Sequence, residues 1–154
     1  MERGNNFSFA IELAGLAAAK ENDRTSTVDD FNRLPKVIGV CGGGVLPEIG
    51  YMYNRSYWGN GYATEALQGF LELYWKTYPN GFPGLEGQER EYVFGTTCTE
   101  NLASQTVLKK CGFEFWKEIE VVDKYDKDSK ITLYAYRLWK PGMKKTDLEG
   151  KYKK

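Results

Sequence analysis

The stretch YWGNGYATEA (57–66) sets Gly59 and Gly61 one residue apart, immediately before a run with helical spacing. Ala63, Ala66, Leu67, Phe70, Leu71 and Tyr74 recur at intervals that predict a helix from Gly61 to Tyr78, stopped by Pro79 and Gly81. Glycine loses more conformational freedom on ordering than any other residue, so a bare backbone at a helix start needs a reason. Three reasons are open: a tight turn, a close helix–strand contact, or an anion resting on exposed N–H groups. Whatever the reason, the fold must deliver a strand, a glycine loop and a helix in that order.

The flanking segments supply the rest. FSFAIEL (7–13) alternates Phe7, Phe9, Ile11 and Leu13 against Ser8, Ala10 and Glu12, the two-residue period of a strand. Residues 14–35 turn polar and small, which predicts a long exposed loop. KVIGVCGG (36–43) and EIGYMYN (48–54) predict a hairpin with a glycine-rich turn closed by Pro47. PNGFPGLEGQE (79–89) predicts a loop, and EYVFGTT (91–97) a strand. ENLASQTVLKKCGF (100–113) predicts a second helix, with Val107, Leu108 and Cys111 inward and Gly112 as its C-cap. FEFWKEIEVV (113–122) and KITLYAYRLW (130–139) predict two closing strands joined by a charged turn. The order β–β–β–α–β–α–β–β describes an α+β domain with a mixed sheet over residues 1–140, followed by a basic tail over 141–154.

Composition narrows the chemistry. The 154 residues carry 21 Lys and Arg against 21 Asp and Glu, so no net field draws the protein to nucleic acid or to an acidic membrane, and neither partner is expected. No run of 18 apolar residues and no apolar leader occur, and Cys41, Cys98 and Cys111 form no C-x-x-C pair. A cytoplasmic location is expected. The absence of histidine removes histidine metal sites, Ser–His–Asp and Cys–His nucleophile systems, and histidine as general base. No metal is expected. Chemistry is left to carboxylates, hydroxyls, thiols, lysines and backbone amides.

Two nucleotide-binding patterns fail on the glycine stretch. A dinucleotide fingerprint needs a third glycine where Thr64 stands, and no G-x-x-x-x-G-K-[ST] run exists. What remains is a loop whose N–H groups from Gly59 to Ala63 could cradle a diphosphate, helped by the helix dipole. After a β-hairpin, this arrangement resembles motif A of the GNAT superfamily, the acetyl-CoA-dependent N-acetyltransferases. NLASQTVLKKCGF (101–113) resembles the same superfamily's motif B, N-x-x-[AS] with a G-F closing the helix. EIGYMYNRSYWGNGYATEAL (48–67) is similar to the RimJ/RimL-like branch, which acetylates amino termini and other primary amines. The matches span residues 36–139 in the right order and spacing.

The resemblance implies a mixed, mostly antiparallel sheet in which two parallel strands, here 48–54 and 91–97, splay apart. It implies acetyl-CoA as co-substrate, its pantetheine arm against the backbone of Tyr51, Met52 and Tyr53. The diphosphate would rest on the loop of Trp58, Gly59, Asn60, Gly61, Tyr62, Ala63 and Thr64. Asn101 would hold pantetheine or nearby backbone, and Ser104 would face the thioester or leaving thiolate; a serine early in a helix also often only caps or packs. A neutral amine would attack the acetyl carbonyl directly. Glu48 is the candidate general base, its alternative being an ordinary surface glutamate at a strand start.

Departures from the family pattern shape the remaining expectations. Trp58 takes a slot that is Arg or Gln in the family pattern, and Leu108 takes that of a tyrosine general acid. The family's usual first strand and first two helices, which wall the acceptor site, have no counterpart ahead of residue 7. A homodimer covering the open face is one expected consequence. Three readings stand: an N-acetyltransferase acting on a peptide N-terminus or small amine, a non-catalytic coenzyme A-binding module, and an inactive truncated domain. Tyr51, Tyr53, Tyr57 and Tyr62 are expected to pack in the sheet or core, Trp75, Trp116 and Trp139 to anchor the core, and Cys98 to be a buried bystander.

Overall fold

A computed structural model of the chain describes residues 7–13, 36–123 and 126–143. Along the chain run β1 (Phe7–Glu12), β2 (Val37–Val45), β3 (Glu48–Tyr53), α1 (Tyr62–Thr77), β4 (Tyr92–Cys98), α2 (Leu102–Lys110), β5 (Glu114–Val122) and β6 (Lys130–Trp139). This is the order that periodicity predicts. Short 3₁₀ turns add Arg55–Tyr57 and Gly87–Glu91, the latter at the end of the stretch expected to be plain loop. The exposed loop expected over 14–35 and most of the tail expected over 141–154 lie outside the described residues.

The six strands form one sheet in the order β1-β2-β3-β4-β6-β5. Every neighbouring pair is antiparallel except β3 and β4, which run parallel. Side-chain alternation sorts the sheet into two faces. Phe7, Cys41, Tyr51, Val93 and Tyr136 join or pack against the core shared with α1 and α2. Their sequence neighbours Ser8, Val40, Met52, Phe94 and Arg137 therefore take the second face, and Glu48 shares it through its bond to Thr96.

Local chemistry explains both helices. In α1 the buried residues Leu67, Phe70, Leu71 and Tyr74 fall on the predicted stripe. The Tyr78 N–H closes the helix on the Tyr74 carbonyl at 2.8 Å, and Pro79 cannot continue it. In α2 the Asn101 Oδ1 accepts the Ser104 N–H at 3.0 Å, a side-chain N-cap. Gly112, at φ +87°, lets the Phe113 N–H reach back to the Leu108 carbonyl at 3.0 Å while Phe113 enters the core.

Three expectations are corrected. The hairpin turn is Leu46–Pro47, because β2 continues through its glycines to Val45 with a register shift between Gly42 and Val45. Those glycines serve close packing: a Cβ at Gly42 would collide with the backbone of Phe7 and Ser8, and one at Gly43 with Leu46. Trp116 and Trp139 lie on the second face around Tyr92, since strand alternation turns them away from the helices; only Trp75 packs on the core. Cys98 is exposed, because it ends β4 where β3 no longer runs beside it.

The core assignment makes a stability prediction. Leu67 is 0% exposed and Leu73, on the outer side of the same helix, is 42% exposed. Leu67→Ala is expected to cost about 2–5 kcal/mol in urea unfolding, and Leu73→Ala under about 1 kcal/mol. Equal losses would contradict the packing of α1.

Candidate functional site

The site begins where a ladder ends. β3 and β4 share a single register pair, Glu48 opposite Phe94, with the Phe94 N–H donating to the Pro47 carbonyl at 3.0 Å. Beyond it no pairing joins the two strands among the described residues, although β3 runs to Tyr53 and β4 to Cys98. On the other side of β3 the Asn54 N–H donates to the Ile38 carbonyl at 2.9 Å. Antiparallel alternation then turns the backbone groups of Gly50 and Met52 toward β2, and those of Tyr51 and Tyr53 into the gap. Counting from Phe94, Thr96 and Cys98 face the gap from β4. The Tyr53 carbonyl accepts the Trp58 indole N–H at 2.9 Å, which ties the following loop to the end of β3.

That loop resolves the glycine question. Gly59 (φ +79°) and Gly61 (φ +85°) occupy the left-handed region that residues with a Cβ avoid. A Cβ at either position would meet no atom within 4 Å, so close helix–strand contact is excluded. The turn needs glycine, and the space before it is open. The Gly61 carbonyl accepts the N–H groups of Thr64 at 3.0 Å and Glu65 at 3.1 Å, starting α1. The Asn60 side-chain amide folds back on the carbonyls of Tyr57 and Trp58, at 3.3 and 3.1 Å. Among the described residues, no protein acceptor takes the N–H groups of Gly59, Asn60, Gly61, Tyr62 or Ala63. A helix start with bare amides is an anion cradle, strengthened by the dipole of a 16-residue helix. The Thr64 N–H is already committed inside that helix.

On the helix face, α2 closes over the gap. The Tyr51 hydroxyl donates to the Ser104 carbonyl at 3.2 Å, linking β3 to the first turn of α2. Asn101 caps α2, its Oδ1 accepting the Ser104 N–H at 3.0 Å. Leu108 is buried against Gly95, where a Cβ would meet the Leu108 side chain at 3.3 Å. Burial raises the Tyr51 hydroxyl above its ordinary range, with the Ser104 side-chain hydroxyl opposing that rise. Burial also raises the Tyr53 hydroxyl and pushes the Cys41 thiol up to about 12. These groups stay protonated at neutral pH and provide no nucleophile.

On the second face, the Thr96 Oγ1 donates to Glu48 Oε1 at 2.8 Å across the two splayed strands. A groove of about 480 Å³ opens there, with Val40, Val45, Gly50 and Met52 beside Glu48 and Thr96. Met52 is 72% exposed, with its side chain on this face and its backbone turned to β2; a role for Met52 in holding pantetheine would have to come from contacts other than gap-facing amides. Sequence reasoning missed Thr96. Its only signal was alternation from Phe94, and that becomes informative only once β3 and β4 are known to be neighbours. Among the described residues no group of His, Cys, Asp and Glu is arranged to hold a metal ion, and no helix is long and apolar enough to cross a membrane.

A splayed parallel pair with a bare-amide loop at one end and a capped helix beside it defines the acetyltransferase architecture anticipated from the motifs. The chain belongs to the acetyltransferase (GNAT) domain family, whose profile matches residues 2–114. Its fold is similar to that of the microcin C7 self-immunity acetyltransferase MccE in complex with acetyl-CoA and AMP, with a TM-score of 0.54 at 16% identity over 68% of this chain and 56% of that one. It is similar to ribosomal-protein-S5-alanine acetyltransferase from Vibrio fischeri, with a TM-score of 0.54 at 18% identity over 71% and 57%. RimL, a ribosomal L7/L12 alpha-N-protein acetyltransferase solved with coenzyme A, gives 0.52 at 18% identity over 68% and 56%. At these identities the likeness is one of fold, and the matched region spans less than two thirds of each of these chains. No curated protein sequence matches the chain significantly.

The cradle can be tested with the anion alone. Inorganic pyrophosphate added to isotopically labelled protein is expected to shift the amide resonances of residues 59–63 first, and Gly61→Val to abolish those shifts while the remaining spectrum stays folded. Shifts scattered over surface lysines would count against the cradle.

Proposed function

We propose that this chain is an acetyl-CoA-dependent N-acetyltransferase that acetylates a primary amine, on a peptide N-terminus or a small molecule, by direct attack in a ternary complex. The observation that carries the reading is the gap between β3 and β4, lined by backbone amides and leading to the bare N–H groups of the glycine loop. The fit to the co-substrate is specific. Backbone groups of Tyr51 and Tyr53 can pair with the amides of a pantetheine arm as an added strand would. Within the loop, residues 59–63 present bare amides and open space to a diphosphate, while the N–H groups of Trp58 and Thr64 are taken by the Arg55 and Gly61 carbonyls. Bound acetyl-CoA supplies an activated thioester.

The residues of this chain do the rest. Glu48 stands where the strands part, its carboxylate steadied by Thr96 at 2.8 Å and facing the groove of the second face. An amine arriving as ammonium gives one proton to Glu48, which passes it to solvent. The C–N bond forms as the C–S bond breaks, and the proton shed by the attacking nitrogen ends on the departing sulfur. Ser104, in the first turn of α2, donates a hydrogen bond to that sulfur, and N–H groups of the gap hold the carbonyl oxygen as charge develops. The Tyr51 hydroxyl is occupied by the Ser104 carbonyl and serves to position the helix.

One observation favours a second reading, coenzyme A binding without turnover. Leu108 is buried at the position where the family resemblance places a tyrosine acid, so that position offers no phenol to the leaving group. Calorimetric titration with acetyl-CoA and with coenzyme A, followed by thiol release with amine acceptors, separates the two. Micromolar binding with amine-dependent thiol release is expected. Binding with no release for any amine would favour the second reading, and no binding by folded protein would remove both.

The base role of Glu48 makes a further prediction. Glu48→Gln is expected to lower kcat about 10²-fold or more near pH 6–7, where removing the ammonium proton limits the rate, with the deficit shrinking as pH rises toward 9. A pH-independent deficit would take Glu48 out of that role.

A further inference from the structure

The second face carries a charged feature that the proposed reaction leaves unused. Arg137 lies on β6 directly opposite Phe94, which is itself opposite Glu48. Glu48, Phe94 and Arg137 thus form one row across three adjacent strands, with side chains on the groove face. At a strand spacing of about 4.8 Å, the Cα atoms of Glu48 and Arg137 stand about 10 Å apart.

The guanidinium is held by rings on several sides. It lies 3.9 Å from the centroid of Trp139, 4.7 Å from that of Trp116 and 5.4 Å from that of Tyr92. Tyr92 packs against both tryptophans, and Phe94 against Trp116, so the rings form one continuous wall. A guanidinium stacked on aromatic faces keeps its in-plane N–H fork for a carboxylate. Among the described residues no carboxylate comes within ion-pair reach of that fork and no acceptor takes its N–H groups; the ion pair that forms lies elsewhere, between Lys130 and Glu120. Glu114, the next position in the row, bears on Arg137 only through its charge. Partial burial lowers the Arg137 guanidinium from its ordinary value, a cost that an anionic partner would offset.

Resting on the acetyl-transfer reading above, we propose that Arg137 is a specificity-determining residue that binds an acidic side chain of a peptide acceptor. The geometry sets the position of that side chain. The amine must reach Glu48 at the apex of the gap, whereas the guanidinium leans over Trp139, toward the start of β4 and away from the open end. The separation is therefore about 10 Å or more, and an extended peptide advances about 3.3 Å per residue. The acid falls on the third or fourth residue from the amino terminus. The exposed edge of Phe94 lies beneath the residues between.

The test pairs two labelled hexapeptides, identical except for Glu or Gln at the third position, with the coenzyme A-loaded protein. By fluorescence anisotropy the Glu peptide is expected to bind about tenfold tighter or more, an advantage that shrinks as salt rises. Arg137→Gln is expected to bring the ratio near one. Arg137→Lys, which keeps the charge and the ring contact but loses the fork, is expected to retain part of it. Where transfer is measured, the preference is expected in KM with little change in kcat. A wild-type ratio near one overturns the proposal, as does failure of both peptides to bind, or an unchanged ratio in folded Arg137→Gln. Failure of acetyl-CoA itself to bind is read separately by calorimetry and strikes the reaction, while the anisotropy ratio judges the Arg137 subsite.

Discussion

A parallel ladder that stops after one rung organises this molecule. Glu48 and Phe94 pair, and past them the gap-facing backbone groups of β3 and β4 meet no neighbouring strand among the described residues. Such groups need partners wherever water is excluded. Elsewhere neighbouring strands pair antiparallel along most of their length, with a register shift in each of the β1–β2, β2–β3 and β5–β6 ladders. The gap divides an otherwise continuous sheet into two halves. It is kept open on the helix face by Leu108 and by the Tyr51–Ser104 bond, and bridged on the second face by Thr96 and Glu48.

That arrangement separates two tasks by face and by end. The glycine loop lies at the far end of β3, tied to it by Trp58, and offers amides to a polyanion. The second face offers one carboxylate at the apex, an apolar groove beside it, and a ring-held arginine one strand beyond Phe94. A reaction between a large anionic donor and a cationic amine needs such a division. In the reaction proposed above, backbone dipoles would meet the donor's charge and a side chain the amine's, so that neither site attracts the other's ligand.

Much of this was legible in the chain, and what was legible is local. The stripe Leu67, Phe70, Leu71, Tyr74 announced α1 and Gly112 the end of α2, whereas the cap that Asn101 forms on α2 came from the structure. Each signal acts over a few residues, where propensity and capping compete with little else. The glycine loop was legible as a place of unusual backbone, though three explanations competed until the empty space beside Gly59 and Gly61 removed one of them. Errors arose where neighbouring strands decide the outcome. Gly42 and Gly43 look like turn residues and instead admit β1 and Leu46 close to β2. Trp116 and Trp139 are large apolar residues and would suit a core, but their strand positions turn them to the second face.

The site's pairings came from tertiary structure because they join distant parts of the chain. Thr96 meets Glu48 across 48 residues, and Tyr51 meets Ser104 across 53. No local pattern encodes which strands become neighbours or where two neighbours part. Arg137 reads as an ordinary strand arginine until its strand lies beside β4 and puts it in register with Phe94 and Glu48. Short-range signals thus specified the elements and the glycine loop. Strand order and register, set by long-range backbone pairing and by burial of one face against two helices, decided which side chains share the candidate site.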